Sequence, residues 1–231
     1  MLETPDLVSA GVILIAVLIN LVIGIKSFNS YRANKLTQTL LFALTAFFMA
    51  IAMLLLVAEK LFFTIGNNDM GMHFGLIAIT LSGFAVVCID AFSFNMVFPE
   101  KFKILTVLAA LVEAAYLIVW YTDPGRKVVG GEIKISDFTI WLSFFTLVPL
   151  LIIPVLVFFY YAIKVRDESP LSSKRSWMLG LGILVIATGF IVEIAGLDPV
   201  AFAWVIVGAR TLFILGAVLL YWGLFRIRAP E

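Results

Sequence analysis

Long runs of apolar residues alternate with short polar breaks along the chain. A helix rises about 1.5 Å per residue, so about 20 apolar residues are needed to cross the hydrocarbon core of a bilayer. Runs of that length predict spans at residues 7–25, 39–63, 74–98, 102–121, 138–163, 176–197 and 201–225. The pattern therefore predicts an all-α integral membrane protein, a seven-transmembrane-helix bundle that forms a single domain over residues 1–231.

Two of the polar breaks carry further local signals. Between the fourth and fifth spans, residues 123–125 (Asp-Pro-Gly) are a turn sequence. Gly130 and Gly131 supply the positive φ that a two-residue hairpin turn needs, so a short β-hairpin is predicted here. Two interpretations of this hairpin stay open, a lid over a pocket or a plain connector. Before the sixth span, Ser172 or Ser173 is expected to cap the helix.

Composition agrees with the membrane class, and the basic residues predict an orientation. Hydrophobic residues make up 63% of the chain and charged residues 13%, and the mean hydropathy is +1.12.

Cytoplasmic loops of membrane proteins are enriched in Lys and Arg. Most of the basic residues lie in the first, third and fifth breaks and after the last span, namely Lys26, Arg32, Lys35, Lys101, Lys103, Lys164, Arg166, Lys174, Arg175, Arg226 and Arg228. The other loops hold Lys60, Arg126, Lys127 and Lys134. We therefore expect a multi-pass protein of the cell membrane with its N-terminus outside and its C-terminus cytoplasmic.

The scarcity of reactive side chains excludes several classes of function. Cys88 and His73 are the only cysteine and the only histidine. The chain therefore has no internal disulfide, no cysteine-based metal site and no multi-histidine metal site. No nucleophile–base pair is visible, so we expect no enzyme, no metal and no cofactor. The net charge of +1 argues against a nucleic acid partner.

Four ionisable residues lie inside the predicted spans, where a charge is costly unless it is paired or functional. They are Asp90, Glu113, Glu193 and Arg210, and Glu59 lies near the outer end of the second span. Helix rise places Arg210 roughly 14 Å and Glu113 roughly 16 Å from the ends of their spans, so both lie near the midplane. Depth therefore predicts Glu113 as the first partner of Arg210 and Glu193 as the second.

These charges have a functional and a structural interpretation. Arg210, Glu113 and Glu193 either line a ligand-binding cavity in the outer half or form a structural ion pair. Asp90 and Glu59 are candidates for a proton or ion path, although Asp90 has the alternative of a hydrogen bond to a neighbouring helix.

Prolines and glycines predict how the helices bend and pack. Pro149 and Pro154 predict a kink in the fifth span, which is either a hinge or an ordinary feature of a membrane helix. Glycines repeat every seven residues in the last two spans, at 182, 189 and 196 and at 216 and 223. Small residues at such spacing let transmembrane helices approach closely.

The last two spans resemble the seven-transmembrane-helix sensor modules found N-terminal to prokaryotic histidine kinases. The resemblance is carried by residues 169–182 (SPLSSKRSWMLGLG), 191–193 (IVE) and 208–223 (GARTLFILGAVLLYWG), with an echo at 115–124 (AYLIVWYTDP). It implies a sensing role. Only five residues follow Arg226, so we expect the output to pass through a partner. Microbial rhodopsins share the helix count and the orientation, but they attach retinal to a lysine in the last helix, where this chain has none.

Three functions are compatible with these observations. The first is a stand-alone sensor or receptor-like module that binds a small or lipid-like ligand in its outer half and acts on a protein partner through its cytoplasmic loops. The second is a proton- or cation-coupled transporter or channel that uses Asp90, Glu113 and Glu193. The third is a non-catalytic subunit of a membrane complex, in which these charges pair with other chains. Membrane lipids surround the protein in each case.

Overall fold

Helices account for most of the chain in a computed structural model that describes residues 4–129, 132–195, 197 and 201–226. Within these residues the elements are α1 (Thr4–Asn34), α2 (Thr37–Thr64), α3 (Asn68–Val97), α4 (Phe102–Thr122), β1 (Lys127–Val129), β2 (Glu132–Lys134), α5 (Asp137–Lys164), α6 (Pro170–Ile194) and α7 (Ala203–Phe225). Each of these seven described helices is long and apolar enough to cross a membrane. The predicted all-α class is confirmed, and the architecture is that of a multi-pass membrane protein.

Most of the helices extend beyond the predicted spans at one end or both, because hydropathy marks the apolar segment, whereas capping groups mark the helix ends. Helices α6 and α7 are the exceptions at the α6–α7 connection, where α6 ends at Ile194 and α7 begins at Ala203. The Asn67 side chain accepts a hydrogen bond from the Met70 N–H at 3.1 Å and starts α3 six residues before the predicted span. The prediction that Ser172 or Ser173 caps α6 is wrong. Ser169 is the cap and accepts from the Ser172 N–H at 3.4 Å, while the Ser173 hydroxyl donates to the Ala162 carbonyl on α5.

The contacts between helices form a closed ring around the bundle. Helix α2 packs against α1 and α3, α6 packs against α5 and α7, and α7 returns to α1. Helix α3 also contacts α5, and α4 packs against both of them. The buried side chains of α4 are Ala109, Glu113 and Tyr116 alone, so α4 lies at the periphery of the bundle. Glu113 therefore reaches the interior from the least embedded helix.

The outward faces of the helices carry large apolar side chains, unlike those of a soluble protein, and a few acids are buried within the mostly apolar interior. Leu18, Ile104 and Phe145 are more than 60% exposed, at 63%, 68% and 74%. Asp90 and Glu113 are buried, at 0% and 2% exposure. An apolar outer surface suits contact with lipid, and ionisable residues of spanning helices face the bundle interior.

The connections define two ends of the bundle. The hairpin end carries the α2–α3 loop, the α4–α5 connection with β1 and β2, and the α6–α7 connection. The opposite end carries the remaining three connections. The predicted hairpin is present, since β1 pairs antiparallel with β2 and Val128 stands opposite Ile133. The glycines at 130, 131 and 196 and the arginine at 228 lie outside the described residues.

Candidate functional site

Arg210 on α7 forms an ion pair with Glu193 on α6. The distance from Arg210 Nε to Glu193 Oε1 is 2.7 Å, and Arg210 Nη1 also donates a hydrogen bond to the Ser9 hydroxyl on α1. The Arg210 side chain is 13% exposed and the Glu193 side chain 31% exposed. Depth favoured Glu113 as the first partner, but the structure pairs the guanidinium with Glu193. Depth is only one coordinate, and α6 is the direct neighbour of α7 whereas α4 packs against α3 and α5.

Close packing of α6 on α7 explains why these two side chains meet. A Cβ added to Gly189 would stand 2.8 Å from the Ala209 carbonyl oxygen, and one added to Gly216 would stand 2.6 Å from that of Gly182. The two backbones are therefore in contact, as small residues permit. Glu193 follows Gly189 by about one turn and Arg210 follows Ala209 directly, so backbone contact at this level brings the charged side chains together.

Glu113 enters the interior through a space that Gly83 on α3 leaves open. A Cβ added to Gly83 would overlap the Glu113 carboxylate and would lie 2.8 Å from its Cδ atom. Both carboxylate oxygens of Glu113 are buried and have no hydrogen-bond partner among the described residues. On the same face of α4, the rings of Tyr116 and Trp120 contact each other edge to face, with centroids 6.3 Å apart.

Glu59 is buried on α2 at 6% exposure, next to α3 and the hairpin. A Cβ added to Gly75 on α3 would lie 3.1 Å from Glu59 Oε2 and 2.5 Å from Ile133 Cδ1 on β2. Ile133 therefore brings the hairpin into contact with the helix bundle beside an acidic side chain. This contact favours the lid interpretation of the hairpin over that of a plain connector.

Asp123 ties the base of the hairpin together outside the membrane-spanning helices. Its carboxylate accepts hydrogen bonds from the backbone N–H groups of Gly125 and Ser136, each at 2.8 Å. Burial acts to raise the pKa of Asp123, but these hydrogen bonds to its charged form outweigh burial and lower the pKa below its usual value. The hairpin that covers the helix bundle is thus anchored by a charged side chain.

The charged side chains of Glu59, Glu113, Glu193 and Arg210 line one cavity at the hairpin end, with a volume of about 230 Å³. A single water needs only about 10–15 Å³ by the same measure, so the cavity is large enough for a small molecule. Every described helix contributes to its wall, as does β2 through Ile133. The polar and charged lining residues are Glu59, Lys60, Ser82, Glu113, Tyr116, Trp120, Glu193 and Arg210. The structure therefore brings Glu59, Glu113, Glu193 and Arg210 to one site.

A second, smaller cavity of about 50 Å³ adjoins this one. The two cavities share five lining residues, Met49, Met53, Val86, Phe190 and Phe213. The smaller cavity is lined almost entirely by apolar side chains, with Asn20 and Thr45 as its polar members among the described residues. The side chains at the boundary between the two cavities are therefore apolar.

Asp90 lies on α3, about one turn beyond Val86 toward the opposite end, and is one of the most buried side chains. Both of its carboxylate oxygens have no hydrogen-bond partner among the described residues. Its own carbonyl accepts a bond from the Ser93 hydroxyl at 2.8 Å. Asp90 is not among the described lining residues of either cavity, but it lies close enough to Glu113 for the two carboxylates to interact electrostatically.

The prolines predicted to kink the fifth span lie within an uninterrupted α5. Pro154 is buried in the bundle, whereas Pro149 is exposed on its outer face. The α5 residue that lines the large cavity is Leu147, close to both prolines. A hinge at Pro149 or Pro154 stays a prediction.

Sequence reasoning missed two contributors to the site. Ser9 was missed because a single serine in an apolar helix carries no distinctive signal, although its hydroxyl accepts from Arg210. Ile133 was missed because the contact depends on how the hairpin folds over α3. Within the described residues, no group of three or more His, Cys, Asp or Glu side chains is placed to hold a metal ion.

Comparison with protein-family models, with curated proteins and with solved structures finds no match to this chain. The class of the protein therefore rests on its own architecture, a bundle of helices able to cross a membrane, with charged residues gathered around a cavity at one end.

Proposed function

We propose that this protein is a membrane sensor or receptor-like module that binds a small or lipid-like ligand in the cavity at the hairpin end. The observation that carries the proposal is the wall of that cavity, which is apolar over most of its surface with a few charged groups converging on it. Pockets for small organic molecules have this composition, because apolar walls supply affinity and a few polar groups fix orientation. An amphiphile would bury its apolar part against side chains such as Met53 and Phe190.

The charge distribution supports an outward-facing cavity and a cytoplasmic output. Loops at the end opposite the hairpin hold most of the basic residues, and this is the end that the positive-inside rule assigns to the cytoplasm. A ligand would then enter from outside, under the hairpin. The basic loops at the opposite end would act on a protein partner, as the resemblance to sensor modules implies.

The apolar boundary between the two cavities favours a receptor over a channel. Conduction needs a route of polar groups or water through the bundle, and an apolar boundary opposes it. The five residues that line both cavities are all apolar, namely Met49, Met53, Val86, Phe190 and Phe213.

A proton- or cation-coupled transporter is the second candidate, and one observation favours it. Glu113 and Asp90 are buried carboxylic acids without hydrogen-bond partners among the described residues. Glu113 lines the large cavity, and Asp90 lies close enough to Glu113 for the two carboxylates to interact electrostatically. Chains of intramembrane acids are typical of proton relays. Transport would also require a route from Asp90 to the opposite end of the bundle.

Native mass spectrometry of the protein purified from its own membranes tests the sensor proposal. We expect a retained adduct of small-molecule or lipid mass. The variant Ser82→Phe, which fills the cavity, should lose the adduct, whereas Ile77→Phe, on the exposed face of the same helix, should keep it. Absence of any adduct, or equal retention by both variants, would count against a ligand-binding cavity.

Proton flux into vesicles loaded with a pH-sensitive dye separates the two candidates. The sensor proposal predicts no flux above that of empty vesicles. Flux that Glu113→Gln abolishes would replace the sensor proposal with the transporter.

A further inference from the structure

The charged residues around the large cavity are unequal in number and in pairing. Among the described residues, the wall holds three acids, Glu59, Glu113 and Glu193, and two bases, Lys60 and Arg210. Arg210 already binds Glu193 and Ser9. With every group ionised, the wall carries one more negative charge than positive charges. The cavity is therefore complementary to a ligand that carries a single positive charge.

The geometry assigns the excess negative charge to Glu113. Its side chain is 98% buried, since only 2% of it is exposed, and neither carboxylate oxygen has a hydrogen-bond partner among the described residues. A buried polar group without a partner is costly, and a ligand donor that satisfies it recovers that cost on binding. The residue that faces it from α3 is Gly83, which offers no side chain to bond it.

Two aromatic rings lie on the same face of α4 as this carboxylate. Tyr116 follows Glu113 by three residues and Trp120 by seven, so all three share one face of the helix, and all three line the cavity. The two rings contact each other edge to face. Aromatic faces attract ammonium groups, with an effect that grows as water is excluded.

We infer that Glu113, Tyr116 and Trp120 form a subsite for the ammonium group of a monovalent organic cation that has an apolar body. This inference rests on the proposed ligand-binding function and names the class of ligand. The carboxylate accepts hydrogen bonds from the ammonium group and neutralises its charge. The rings cover its flanks, and the apolar body lies along the remaining wall of the cavity.

The probe that tests this subsite is n-hexylammonium, measured by calorimetry with the protein in nanodiscs of zwitterionic lipid and with empty nanodiscs as the blank. Neutral 1-hexanol and anionic hexanoate have the same chain and serve as the matched probes. We expect saturable binding of n-hexylammonium, weaker binding of 1-hexanol and weakest binding of hexanoate.

Two variants and a control locate the binding. Glu113→Gln should weaken n-hexylammonium binding by at least about tenfold, because it removes the negative charge and hydrogen bonds to charged groups are the stronger ones. Trp120→Leu should weaken the binding of n-hexylammonium more than the binding of 1-hexanol. This variant keeps the test decisive even where Glu113→Gln folds poorly. Glu100→Gln, which changes an exposed acid in the α3–α4 connection at the opposite end of the bundle, should bind the ammonium probe as the unmodified protein does.

The outcomes distinguish this inference from the proposed function. Equal binding of n-hexylammonium and 1-hexanol, unaffected by Glu113→Gln, would overturn the ammonium subsite and leave an amphiphile pocket standing. Displacement of the probe by sodium alone at equal concentration would overturn the organic ligand class in favour of an inorganic cation. Saturable binding of none of the three probes would also overturn the inference, and the proposed function would then depend on the native adduct.

Discussion

The α6–α7 and α3–α4 interfaces both combine a glycine with a glutamate, yet the two glutamates are in opposite situations. At α6–α7, Gly189 lets the backbones touch and Glu193 binds Arg210 at 2.7 Å. At α3–α4, Gly83 makes room for Glu113, whose carboxylate has no hydrogen-bond partner among the described residues. A satisfied acid beside a close backbone contact stabilises the bundle, whereas an unsatisfied acid facing a cavity costs stability and is available to a ligand.

The largest effect is expected where the α6 and α7 backbones touch. Gly216→Ala places a methyl group 2.6 Å from the Gly182 carbonyl oxygen and against the Ile186 side chain, so the helices must separate. Overpacking of this kind costs about 1–3 kcal/mol, which should appear as a lower free energy of unfolding in mild detergent.

Gly208 supplies the matched control on the same helix. A Cβ there has no atom within 4 Å among the described residues, and alanine is the better helix former. Gly208→Ala should leave the free energy of unfolding unchanged or raise it. Equal losses for both variants would show that general helix effects, rather than backbone contact, set the stability of α7.

Breaking the ion pair should have the next largest effect. Arg210→Met leaves Glu193 and Ser9 without their donor, and we expect a loss of about 1–2 kcal/mol, because Glu193 is partly exposed and bonds between membrane helices are modest. A double-mutant cycle with Glu193→Gln in the same unfolding assay measures the coupling directly. Additive losses in that cycle would contradict a pair that contributes to stability.

The smallest effect is expected at the base of the hairpin and depends on pH. The folded-state pKa of Asp123 is lowered from 3.8, so its contribution is complete above that value and is lost as the pH falls through the folded pKa. At pH 6, Asp123→Asn should reduce hydrogen-exchange protection at Gly125 and Ser136, which donate to the carboxylate. The difference from the unmodified protein should vanish at acidic pH. A difference that persists there would show that charge is not what anchors the hairpin.

More of the fold than of the candidate site could be predicted from the sequence. Apolar runs of about 20 residues determined the spans, because the bilayer thickness sets that length. The start of α6 was misplaced, because Ser169 caps it in a polar segment that hydropathy does not mark. The partner of Arg210 was misjudged, because depth along the membrane normal carries no information about which helices are neighbours. Likewise, only the packed bundle shows that Asp90 is not among the described lining residues of either cavity.

A comparison of Glu113→Gln with Glu193→Gln tests most directly whether the two acids have different roles. The measurement is the thermal unfolding midpoint of each variant, recorded with and without n-hexylammonium. Glu193→Gln should lower the midpoint of the free protein, because it weakens the bond to Arg210. Glu113→Gln should leave that midpoint unchanged or raise it, and should abolish the further rise that n-hexylammonium produces in the unmodified protein. A fall in the midpoint for Glu113→Gln as large as that for Glu193→Gln, with the response to n-hexylammonium intact, would contradict the account.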